Sequence, residues 1–81
     1  MYALANELAK EGDYDKAAAA FDRVLVEHPE YVPAYFRKGQ FLAAEGDPDA
    51  AREIVTRGIE VAIRVGDDHA AGEMTAFLEM L

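Results

Sequence analysis

The stretch Gly12-Asp13-Tyr14-Asp15-Lys16-Ala17 returns, altered, as Gly46-Asp47-Pro48-Asp49-Ala50-Ala51, at an offset of 34 residues. A fixed period of this length marks a helical repeat array, in which each unit is one supersecondary element that buries its apolar face only against its neighbours. Glycine suits the left-handed position that ends a helix, and the Asp after it can accept hydrogen bonds from the free N–H groups that open the next. Each copy therefore reads as a short turn between two antiparallel helices.

Met1, Leu4, Ala5 and Leu8 recur at helical spacing and predict an amphipathic helix over 1–10. A second helix is expected from about Tyr14 to Glu27, with Ala17, Ala20, Phe21, Val24 and Leu25 inward, stopped by Pro29. A third is expected from about Val32 to Glu45. Pro33 is tolerated in its first turn, where the missing N–H would have had no intrahelical partner. Its apolar side holds Tyr35, Gly39, Leu42 and Ala43, with Phe36 off that stripe. Ala51, Ile54, Val55, Gly58, Ile59 and Ala62 form the inward stripe of a fourth helix. Ile63 stands one period after Pro29, so this helix should run on to about Val65, end at Gly66, and be the longest in the chain. Asp67-Asp68 caps a fifth, over about 68–81, with Ala70, Ala71, Met74, Phe77, Leu78 and Leu81 recurring at three and four. No stretch alternates with period two, so no sheet is expected.

The fold class is thus all-α: one domain over 1–81, with repeat one at about 1–31, repeat two at about 32–65 and a capping helix at about 68–81. At 81 residues such a domain buries only about 60% of the surface its unfolded chain exposes, so stability is modest and self-association a live possibility. Sixteen Asp and Glu against eight Lys and Arg give a formal net charge of −8. That balance opposes binding to a phosphate backbone, which needs clustered cations, and favours a basic or neutral partner over nucleic acid. Cysteine is absent, which removes disulfides and thiolate chemistry. The apolar runs are too short for a membrane span and the start lacks the basic region of a signal peptide, so a cytoplasmic protein is expected.

Set against the pattern W-x2-L-G-x2-Y…A-x3-F…P, the second copy gives Tyr35-x2-Lys38-Gly39-x2-Leu42 and then Ala51-x3-Val55. The first gives Met1-x2-Leu4-Ala5-x2-Leu8, then Ala17-x3-Phe21 and Pro29. The chain resembles the tetratricopeptide repeat family over about 65 residues. Met1 and Tyr35 replace its Trp, Lys38 its Leu, and Ile63 its second Pro. The small residues Ala5, Gly39, Ala17 and Ala51 fall where helices should cross closely, at the lower end of about 8–10 Å between axes. The resemblance implies five antiparallel helices stacked as a short right-handed superhelix. It also implies a concave groove, lined by the first helix of each repeat, that holds a peptide or helix of a partner.

The positions that face this groove in the family map to Tyr2, Asn6, Ala9 and Lys10, then to Phe36, Gln40, Ala43 and Ala44. An aromatic and an amide one turn apart appear twice, as Tyr2 with Asn6 and as Phe36 with Gln40. The ring suits apolar side chains and the amide suits a main chain; alternatively, Phe36 fills space against the first helix. The family's carboxylate clamp on a partner's C-terminus is not expected, because Tyr2 and Arg37 stand at two of its positions and only Asn6 matches.

No catalytic, cofactor or metal site is predicted. Asp13/Asp15 and Asp47/Asp49 lack the further ligands of a calcium loop and read as caps. His69 and Glu73, one helical turn apart, read as a solvated pair. Thr56 and Thr75 have no neighbouring base, and the dispersed glycines are each assigned to a turn or a close-packing role. The expected function is a non-catalytic protein–protein interaction module. The alternative is self-association as a homo-oligomer through the apolar last helix.

Overall fold

A computed structural model describes residues 14–81, which form four helices: α1 Tyr14–Glu27, α2 Val32–Ala44, α3 Pro48–Val65 and α4 Asp68–Glu79. No strand occurs among the described residues. The helix expected over 1–10 and the turn at Gly12-Asp13 lie outside them. None of the described helices is long and apolar enough to cross a membrane.

The second copy of the turn folds as its sequence requires. Gly46 sits at φ 84°, in the left-handed region. The Asp47 N–H reaches the Leu42 carbonyl at 2.9 Å and the Gly46 N–H reaches that of Ala43 at 3.1 Å, which together satisfy carbonyls that the end of α2 would leave orphaned. Asp47 then caps α3, its Oδ1 accepting from the Ala50 N–H at 3.2 Å, with Pro48 in the first turn. The same device recurs outside the 34-residue period. Gly66 lies at φ 82°, Asp67 N–H bonds Ala62 O at 2.8 Å, and Asp67 Oδ1 accepts from Ala70 N–H at 3.1 Å. Two Gly-Asp pairs thus reverse the chain twice.

The link from α1 to α2 uses different chemistry. The His28 N–H closes the last turn of α1 on Val24 O at 2.7 Å, and the Tyr35 hydroxyl donates to Pro29 O at 2.6 Å, tying the loop to the start of α2. With Ile63 in place of a second proline, α3 runs 18 residues and is the longest described helix. Ile63 itself is 62% exposed, so it extends the helix without joining the core. The last helix is shorter than the expected 68–81. It stops at Glu79, where Met80 N–H and Leu81 N–H turn back to Phe77 O and Leu78 O in tighter i→i−3 bonds.

Most of the expected core is present, with additions, while Ala20, Ala43 and Ile59, also expected inward, are only half-covered. Ala17, Phe21, Val24 and Leu25 of α1, Tyr35, Gly39 and Leu42 of α2, and Ala51, Ile54, Val55, Gly58 and Ala62 of α3 are buried. Phe21, Met74 and Val55 are sealed almost completely, each contributing about 1.5–3 kcal/mol by burial. The additions are Val32, Ala34 and Phe41 on α2 and Val61 on α3. They arise because α2 packs between α1 and α3, and α3 against both α2 and α4, so each helix must bury more than one face. Phe41 turns towards α1, its ring 5.2 Å from that of Tyr14 and 5.8 Å from that of Phe21. Lys38, which breaks the repeat pattern, also reaches α1 and forms an ion pair with Asp22. Only Met74 of α4 is buried; Ala70, Ala71, Phe77 and Leu78 are half-covered.

Two glycines set the helix spacing. A Cβ on Gly39 would fall inside the Val55 side chain, and one on Gly58 would lie 2.5 Å from Tyr35 Cβ and 2.8 Å from Met74 Sδ. Gly72 corrects the expectation that every glycine serves a turn or a close approach, since a Cβ there meets nothing within 4 Å. Replacing Gly58 by Ala should therefore destabilise the domain by about 1–3 kcal/mol through overpacking. Gly72→Ala should instead stabilise it by about 0.5–1 kcal/mol through helix propensity. Urea unfolding of both variants reads the two opposite signs.

Candidate functional site

Both α2 and α4 pack on α3, and a groove of about 440 Å³ runs between them. Its α2 side carries Val32, Pro33, Phe36, Arg37 and Gln40; its α4 side carries Ala70, Glu73 and Met74. The spacing within α2 explains the first set. Val32 or Pro33, Phe36 and Gln40 follow one another at three and four residues and so share a strip of the helix. This strip is not the one buried on α3, which runs through Tyr35, Gly39 and Leu42; Val32 at its start is buried, while Pro33, Phe36 and Gln40 keep surface open to solvent.

The sequence-predicted pair Phe36 and Gln40 is thus brought together on one wall, with Phe36 half-buried and Gln40 exposed. Ala43 and Ala44 are not among the lining residues. Tyr2, Asn6, Ala9 and Lys10 lie outside the described residues. The partner of Phe36 is one that sequence reasoning missed: its ring meets Phe77 of α4 edge-on, with centroids 5.6 Å apart and planes at 65°. Such an arrangement sets the positive edge of one ring towards the negative face of the other. Arg37, Glu73, Met74 and Ala70 were also missed as groove residues. The available signal was the position of α4, which follows the second Gly-Asp turn as α2's successor and so supplies the opposite wall.

Polar groups in and near the groove stay wet. His69 Nε2 lies 3.3 Å from Glu73 Oε1 one turn along α4, with side chains 87% and 55% exposed, so the pair forms a solvated helical contact. The Thr56 and Thr75 hydroxyls each donate to the carbonyl four residues back, Arg52 and Ala71, at 2.8 Å. Asp49 pairs with Arg52 at 3.0 Å. No group of three His, Asp or Glu among the described residues is gathered closely enough to hold a metal ion. What remains is an apolar trough with one cation, one anion and one amide on its rims. Such a surface can grip side chains and bond a main chain.

Because Phe36 and Phe77 are the direct aromatic tie between α2 and α4, their truncations should not be additive. The Phe36→Ala/Phe77→Ala double-mutant cycle, read by urea unfolding, should give a coupling of about 0.5–1.5 kcal/mol.

Comparison with known proteins bears on the same stretch. The tetratricopeptide repeat family profile matches residues 2–63. A tetratricopeptide-repeat-containing protein of Pseudomonas aeruginosa is 34% identical over 70 residues, covering 86% of this chain and 67% of that protein. The solution structure of a tetratricopeptide repeat domain protein from Salinibacter ruber superposes with a TM-score of 0.89 at 29% identity, over 98% of this chain and 80% of the other. A crystal structure of a tetratricopeptide repeat domain protein from the same organism gives a TM-score of 0.81 at 29% identity, over 98% and 88%.

Proposed function

Since the chain belongs to the tetratricopeptide repeat family, whose fold generally mediates protein–protein interaction, we propose that it is a non-catalytic binding module. In this reading the groove between α2 and α4 takes a peptide or helix of a partner protein. The observation that supports it is the strip of α2 left uncovered by α3, where Phe36 and Gln40 stand one turn apart over an apolar trough. The half-buried ring would cover an apolar side chain of the partner, and the exposed amide offers both a donor and an acceptor to its main chain. Tyr2, Asn6 and Lys10 extend the proposed surface on the N-terminal side. The net charge of −8 favours a basic or neutral partner protein over nucleic acid, and a cytoplasmic setting is part of the same proposal.

The test is affinity capture from native lysate with wild type and with the Phe36→Ala/Gln40→Ala variant. Loss of the captured band with an unchanged circular dichroism spectrum is the expected outcome. Equal capture by the two proteins would remove the groove from the function.

A second reading rests on the last helix. Phe77, Leu78 and Leu81 remain half-covered and Met80 is 83% exposed, which leaves an apolar end on which another copy could stack. Light scattering across a concentration series should show a mass that rises with concentration if this end self-associates, and a constant monomer mass if it does not.

A further inference from the structure

The walls of the α2/α4 groove carry opposite charges, Arg37 on α2 and Glu73 on α4. The two line one cavity yet form no ion pair with each other. Arg37 pairs with no described residue, and Glu73 pairs with His69 on its own helix. That last contact is solvent-exposed and weak enough for a ligand's cation to replace it. Between the two charges the floor is apolar, made by Val32, Phe36, Ala70 and Met74.

We propose that the segment this groove takes carries an apolar side chain between an acidic and a basic one, with its carboxylate facing Arg37 and its cation facing Glu73. This rests on the groove reading above. The physical ground is desolvation. An occupant that displaces water from the floor also strips it from both rims, and a charge that loses water without gaining a counterpart is penalised. A segment with charges of one sign satisfies one wall and is repelled by the other, so selection comes as much from the mismatch as from the match. The overall charge of −8 does not decide this choice, because the groove itself holds one cation and one anion. The acidic surplus lies elsewhere and acts on the rate of encounter. A volume of about 440 Å³ has room for a few side chains, which fits one apolar anchor with a charged neighbour on each side.

Four fluorescein-labelled synthetic peptides test the assignment, each with a central Phe flanked by Glu and Lys, Lys and Glu, two Glu, or two Lys. Fluorescence anisotropy at low ionic strength should show one mixed-charge peptide binding best, by about five-fold for each mismatched charge in the others. Arg37→Glu should shift the preference to the doubly basic peptide, and Glu73→Lys to the doubly acidic one. Phe36→Ala should weaken all four. Binding that needs Phe36 but ranks the peptides alike, or is unmoved by both charge reversals, overturns the charge assignment and leaves the groove standing. Absence of any Phe36-dependent binding overturns the groove reading and this inference with it.

Discussion

Three helices meet at Gly58. The Tyr35 side chain from α2 and the Met74 side chain from α4 both press against the one position on α3 that has no side chain, where a Cβ would be 2.5 Å and 2.8 Å from them. Packing densities in protein interiors leave no slack for such an overlap, so the close approach exists only because the residue is glycine. Its consequence reaches the surface. With Tyr35 and Met74 drawn onto α3 side by side, the next strips of α2 and α4 face each other, and Phe36 meets Phe77 across the gap. The groove is thus a by-product of how tightly two helices sit on a third.

A second constraint fixes the directions of those helices. At Gly46-Asp47 and at Gly66-Asp67 the glycine takes the left-handed conformation and the following Asp caps the next helix, so one dipeptide both stops and starts a helix. The connections are too short to let the chain do anything but reverse. Because α2 and α4 each lie one reversal from α3, they run in the same direction as each other, and both pack on α3. Ile63 lengthens α3 and so carries the second reversal beyond the point where a proline would have placed it.

The four described helices, their order and most of their core were legible in the sequence because they depend on local rules: apolar spacing, Gly-Asp turns, and proline at helix starts and stops. Phe41, Ala34 and Val61 were not, since a helix with neighbours on two sides buries residues that a single stripe omits. Gly39 could be read as a close crossing from its place in the repeat. The role of Gly58 depends on Met74, and so on how the last helix docks, which no local rule supplies. Half of the candidate wall was visible as Phe36 and Gln40. The other half required knowing that α4, which reads as a cap, also faces α2, setting Phe77 against Phe36 and bringing Ala70, Glu73 and Met74 to the groove. Lys38 looked like a defect in the motif and is an ion pair to α1.

The dependence of the groove on the Gly58 crossing can be read directly from ring-to-ring nuclear Overhauser effects between Phe36 and Phe77, whose centroids lie 5.6 Å apart. The wild-type domain should show them. In Gly58→Ala, still folded by circular dichroism, they should weaken or vanish as α2 and α4 are pushed apart. Cross-peaks of unchanged intensity in the folded variant would contradict the claim that this one close approach sets the spacing of the two walls.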